Sequence, residues 1–131
     1  VVDDYAHHPT EVRAVLRTAR AAVGDARVIV LFQPHLFSRT KAFATEFAEA
    51  LSLADKAIVT DIYAAREDPD PEVTSKLITQ QLPGAVYVAN RIDAAYTVAG
   101  LAAPGDLILT VGAGDVTELG DVILARLREI E

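Results

Sequence analysis

Short, wholly apolar runs alternate along this chain with longer stretches in which apolar residues recur every three or four positions. Val28-Ile29-Val30-Leu31-Phe32 is the clearest run, β-branched and aromatic throughout, as a strand buried on both faces should be. Similar runs lie at 57–59, 85–89 and 107–111, and Val1-Val2 before Asp3-Asp4 reads as the end of another strand. Between them, Val12, Leu16, Ala19 and Val23 form a helical stripe, with Gly24 as its stop. Three further stripes are Phe43, Phe47, Leu51 and Ala54; Ile92, Ala95, Tyr96 and Ala99; and Leu119, Ile123, Leu127 and Ile130. A shorter helix is expected from Val73 to Gln81, beyond Pro69 and Pro71. Strand-helix alternation of this kind predicts an α/β fold: a doubly wound, mostly parallel, Rossmann-like sheet of about six strands with helices on both faces. No repeat, low-complexity stretch or linker interrupts residues 1–131, so one domain is expected. Opening on the last residues of a strand fits a domain cut from something larger.

Composition narrows the partners. About half of the residues are apolar (51%), enough for a real core. The net charge of -7 argues against a nucleic-acid or membrane-surface partner, since either needs a basic face. No apolar run approaches a bilayer span, and no signal-peptide pattern opens the chain. The absence of cysteine excludes disulfides and thiolate metal sites, and fits a reducing, cytoplasmic setting.

In open parallel sheets, ligands bind beyond the carboxyl ends of the strands, where helix N-termini also point. The unusual polar residues of this chain all follow predicted strands. Asp3 to Thr10 follow the first, Gln33 to Thr40 the second, and Asp61, Tyr63, Arg66 and Glu67 the third. Asn90-Arg91 follows the fourth and Gly112-Ala113-Gly114-Asp115 the fifth. The three histidines, His7, His8 and His35, fall in the first two turns. Each residue also has a plain structural reading. Pro9 suits the first position of a helix, while Ser38 and Asp115 read as helix N-caps. The glycine turn alone is a weak signal. Arg39 resists such a reading, because a guanidinium beside a helix N-terminus suits a carboxylate or phosphate.

Asp4-Tyr5-Ala6-His7-His8-Pro9-Thr10-Glu11 and Phe32-Gln33-Pro34-His35, with Ser38-Arg39-Thr40, resemble the C-terminal domain of the Mur ligase superfamily. Asp61 to Glu67 and Gly112 to Asp115 resemble two further blocks of that family, so the resemblance spans essentially the whole chain. The doubled histidine and the Gln-Pro-His turn point to its alanine-adding branch. A murein-tripeptide recycling ligase shares the His-His-Pro turn but usually differs at the second turn. One departure stands out: many members carry Arg-Tyr where this chain has Leu36-Phe37, which removes a cationic contact.

The resemblance implies an ATP-dependent amide ligase of peptidoglycan synthesis. ATP converts the lactyl carboxylate of UDP-N-acetylmuramate to an acyl phosphate, and the amine of L-alanine attacks it. It further implies that Asp4 and Tyr5 bind the nucleotide, that Tyr5, His7, His35 and Arg39 bind the amino acid, and that His7 is catalytic. A central ATPase domain and an N-terminal UDP-sugar domain would belong to the same protein, the former holding most of ATP and its magnesium. No metal site is expected in residues 1–131. Consistent with this, Lys41, Lys56 and Lys76 each lack the preceding glycine of a phosphate loop, so the isolated chain is expected to be inactive. The rival from another class is a receiver-like signalling domain, with Asp3-Asp4 and Asp61 as its acidic pocket. That fold needs a lysine after the fifth strand, where this chain has glycines. A dinucleotide site is weaker still, without Gly-x-Gly-x-x-Gly after the first strand.

Overall fold

The computed structural model describes residues 1–130, and in it the apolar runs become five parallel strands. In chain order these are β1 (Val2–Asp4), β2 (Val28–Phe32), β3 (Lys56–Val59), β4 (Val86–Tyr87) and β5 (Leu107–Val111). Helices α1 (Pro9–Val23), α2 (Phe37–Leu51), α3 (Lys76–Thr79), α4 (Arg91–Leu101) and α5 (Leu119–Ile130) connect or follow them. The strand order is β1-β5-β2-β3-β4. Five strands rather than about six are present among the described residues, matching the number of apolar runs in the sequence.

Every residue of β2 is buried, because the strand carries helices on both faces. Val28, Val30 and Phe32 point into one core, with Val12 and Leu16 of α1, Phe47 and Leu51 of α2, and Ile78 of α3. Ile29 and Leu31 point into the other, with Ala94, Ala95 and Val98 of α4 and Leu119 and Ile123 of α5. This alternation is the two-residue period of a strand read against two apolar layers.

Local chemistry sets the helix ends. Pro9 begins α1, and Glu11 reaches back to the amides of His7 and His8. Gly24 ends it at φ 60, its N–H donating to the Arg20 carbonyl. Several expectations shift. α2 starts at Phe37, just ahead of the Ser38 read as its cap, and the stripe residue Phe43 is non-helical, breaking the helix into two segments. α3 is a single turn, with Val73 buried ahead of it. β4 shrinks to two residues because only Ile58 and Val59 pair with it. Tyr96 leaves the α4 stripe for solvent, where the Arg126 guanidinium lies 4.9 Å from its ring centre. Ile130 is exposed too.

Candidate functional site

The parallel register places the ends of β1, β5, β2 and β3 side by side, and the loops beyond them stay zipped together. The amide of Tyr63 donates to the Pro34 carbonyl (2.8 Å), and that of Leu36 donates to the Tyr63 carbonyl (2.9 Å). The turn after β2 is thereby held against the turn after β3. Gln33 ties the same turn to the loop after β5: its amide nitrogen donates to Asp115 Oδ1 (2.6 Å), and its side-chain oxygen accepts from the Val116 N–H (3.3 Å). The glycines of that loop have a steric cause. A Cβ at Gly114 would lie 2.6 Å from both Gln33 Oε1 and Tyr63 Cγ, and one at Gly112 would lie 2.8 Å from Val116 Cγ1.

Four rings gather on this edge. The Tyr5 and His7 rings meet edge-on with centres 5.2 Å apart, and His7 lies 5.9 Å from His35. His35 in turn stacks on Tyr63 at 5.6 Å. His8 lies 6.3 Å from His7 and packs against Phe43, 5.6 Å between centres. His7 Nδ1 lies 3.1 Å from the Tyr5 carbonyl. A carbonyl only accepts, so Nδ1 carries the proton in neutral His7 and Nε2 keeps its lone pair.

Two buried side-chain polar atoms lack any partner among the described residues: His35 Nδ1 and Arg39 Nη1. Unpaired buried polar atoms are rare, because each forfeits its hydration with no return. Both sit at the start of α2, four residues apart. Burial first, then the positive charge of Arg39, lowers the His35 pKa below its ordinary value, so the imidazole is neutral beside a fixed cation. The start of α2 thus carries a neutral imidazole and a guanidinium with one nitrogen unpaired among the described residues.

Asp4 closes β1. Its Oδ1 accepts from the Ala6 N–H (2.9 Å), leaving Oδ2 without a recorded partner among the described residues. Tyr5 is 69% exposed. The edge is an open shelf flanked by cavities of about 300 Å³, beside Phe37, Asp61 and Tyr87, and about 220 Å³, beside Tyr63, Arg91 and Asp115. Larger, mainly apolar grooves of about 460 and 480 Å³ lie beside the start of the chain, the first lined in part by Asp4 and Thr18. No group of three or more His, Asp or Glu able to hold a metal occurs among the described residues.

Residues 1–114 match the family model described as "Mur ligase, glutamate ligase domain". The chain belongs to the Mur ligase family. Among curated relatives, the UDP-N-acetylmuramate–L-alanine ligase of Saccharopolyspora erythraea is 60% identical over 131 residues, covering 97% of this chain and 27% of that protein. The solved UDP-N-acetylmuramate-alanine ligase MurC of Thermotoga maritima is 28% identical with TM-score 0.74, covering 98% of this chain and 26% of that one. A domain from a putative UDP-N-acetylmuramate:L-alanyl-gamma-D-glutamyl-diaminopimelate ligase of Haemophilus ducreyi shares the fold. Its TM-score is 0.74 at 24% identity, covering 95% of this chain and 88% of that one. The chain thus spans little more than a quarter of the length of the curated relative, at 27%.

Within this Mur ligase chain the structure brings Tyr5, His7 and His35 into one ring cluster, with Arg39 close enough to shift His35. Two cap readings are corrected. Ser38 is the second residue of α2, behind Leu36, and both its N–H and hydroxyl donate to Glu67. Asp115 opens a 3-10 turn without capping it, and its carboxylate serves Gln33 and Arg91 instead. Leu36, at the position where the family often carries arginine, adopts φ 74, a backbone that costs a leucine about 1–3 kcal/mol. Sequence reasoning passed over Tyr63, Glu67 and Gln33 as site residues, although all three lie in family blocks. The acidic pocket of a receiver does not form: β1 and β3 are separated by two strands, about 14 Å by strand spacing. Asp3 is engaged by Thr110 and Thr117, and Asp61 by the Tyr87 hydroxyl, whose pKa is pushed up to about 12 chiefly by that bond.

Proposed function

We propose that residues 1–131 form the C-terminal, amino-acid-binding domain of a cytoplasmic ATP-dependent ligase that joins L-alanine to UDP-N-acetylmuramate in peptidoglycan synthesis. The observation that carries this reading is the pair of buried atoms His35 Nδ1, just before α2, and Arg39 Nη1, in its opening segment, both unpartnered among the described residues. A carboxylate suits these two donors: it accepts from the guanidinium fork and from the imidazole in its Nδ1–H tautomer. Alanine as the amino acid is supported by the 60% identity to a ligase that bears alanine in its name.

Held by its carboxylate, the amino acid presents its amine toward His7 and Tyr5. The amine attacks only when neutral, and the Nε2 lone pair of His7 is the base at hand to take the ammonium proton. Attack on an acyl phosphate gives a tetrahedral intermediate that collapses to an amide and inorganic phosphate. Catalysis of this kind rests on positioning and charge stabilisation. Asp4 Oδ2 and the exposed Tyr5 ring are assigned to the ribose and base of the nucleotide. The triphosphate and magnesium do not fit this chain, which lacks both a phosphate loop and an acidic cluster among its described residues. They are assigned to a central domain of the parent protein, and the UDP-sugar to a further one. The open shelf supports the same division, since it needs a second surface to exclude water.

Arg39→Ala in the full-length protein tests the reading. Loss of a charge-assisted pair of about 1.5–3 kcal/mol raises the KM for L-alanine roughly 10- to 150-fold, with the KM for ATP nearly unchanged. Arg39→Lys restores part of the loss, lacking the planar fork. Equal effects on both substrates contradict the assignment.

A further inference from the structure

The cap of α2 comes from outside its own segment. Leu36, the residue at the cap position, is apolar, has φ 74 and offers no side-chain acceptor to the first amides of the helix. Glu67, 29 residues further along, supplies the acceptors instead. Its Oε1 accepts from the Ser38 N–H at 3.2 Å, and its Oε2 accepts from the Ser38 hydroxyl in a short bond. These bonds, together with the Phe37 amide and the nearby charge of Arg39, hold the Glu67 carboxyl below its usual range, the Ser38 hydroxyl contributing most.

We propose that Glu67 is a positioning residue for the amino-acid carboxylate site, acting through the first turn of α2 on Arg39. This rests on the assignment of Arg39 made above. Three observations make the turn dependent on Glu67. The non-helical Phe43 separates the opening segment, 37–42, from the body of α2, so the body does not rigidly hold Arg39. Glu67 is delivered by a fixed turn, with Ala65 at φ 53 and the Glu67 N–H donating to the Ala64 carbonyl at 2.9 Å. That turn is itself zipped to the His35 turn through Tyr63, Pro34 and Leu36. Glu67 also makes no ion pair within 4.0 Å of Arg39 among the described residues. It orients the arginine without consuming the guanidinium fork, which a direct pair would do.

The test compares Glu67→Ala, Glu67→Gln and Arg39→Ala in the full-length protein, with L-alanine and ATP varied separately. Glu67→Ala raises the KM for L-alanine roughly 3- to 30-fold, the range of lost helix caps, and leaves the KM for ATP within about twofold. Glu67→Gln keeps an acceptor oxygen but loses the charge, so its effect falls between the alanine variant and the wild type. A purely structural residue would lower the melting temperature without separating the two KM values. Should the alanine variant fail to fold, the glutamine variant decides by the same split. An unmoved KM for L-alanine in the Glu67 variants, with a raised one in Arg39→Ala, overturns the positioning role alone. An unmoved value in Arg39→Ala overturns the carboxylate assignment beneath it.

Discussion

Three histidines of similar sequence context end in different surroundings, and each carries its own expectation. His7 faces the Tyr5 and His35 rings with no hydrogen bond at Nε2 among the described residues, whereas His8, 6.3 Å from His7, packs its ring on Phe43. His7→Ala is therefore expected to depress kcat/KM by about 10²-fold or more, in the range of lost general bases, and His8→Ala far less. Steady-state kinetics of the two variants decide it, and indistinguishable values contradict the assignment. His35 is held neutral by burial and then by the charges of Arg39 and His7, with Glu67 opposing them. Its folded pKa lies below that of the unfolded chain, near 6.5, so the unfolded state binds more protons between the two values. Stability from this residue is complete above pH 6.5 and is lost as pH falls through the folded pKa. An imidazole NMR titration should show His35 with a midpoint below 6.5 in the free protein. The midpoint should move upward when an amino-acid carboxylate offsets Arg39. A free midpoint at or above 6.5 contradicts the site's electrostatics.

The elements matter through the loops they bring together. Gly114 lets the loop after β5 lie directly against Gln33 and Tyr63, and a methyl group there meets both at 2.6 Å. Gly114→Ala is expected to cost about 1–3 kcal/mol through overpacking and to shift Tyr63 off His35. Calorimetry measures the first effect, and the His35 NMR resonance reports the second. The wholly buried β2 was legible in five consecutive apolar residues, and the α1 boundaries in Pro9 and Gly24. Their signals are local, lying within one turn of the chain. The reach of Glu67 to Ser38 and of Gln33 to Asp115 was not legible, because the partners lie 29 and 82 positions apart and only the β5-β2-β3 adjacency joins them. Ser38 and Asp115 were misread as caps for the same reason: the short-range pattern fits, but a distant partner wins. Of the α4 stripe, Ile92, Ala95 and Ala99 meet the core as expected and only Tyr96 does not, because Ala94, Ala95, Val98 and Ala99 fill the inner face. His7, His35 and Arg39 were legible as a set through their position after strands and through the family motif. Their unpaired atoms emerge only from packing.

As a whole, the molecule is a five-stranded, two-layered carrier for an open polar shelf. Two apolar layers fix five strands, the strands fix the loops, and the loops leave His35 Nδ1 and Arg39 Nη1 without partners among the described residues. Among the described residues, no helix is long and apolar enough to cross a membrane and no acidic cluster can hold a metal. The chain spans 27% of the length of a UDP-N-acetylmuramate–L-alanine ligase, and the proposed function makes it one part of such an enzyme. Phosphate release, with product mass, tests this most directly. The assay supplies ATP, magnesium and UDP-N-acetylmuramate, and compares L-alanine with L-glutamate, other amino acids and a murein tripeptide. The account predicts release that depends on L-alanine in the full-length protein and none from residues 1–131 alone. Preference for the tripeptide or for glutamate, or turnover by the isolated chain, would contradict it.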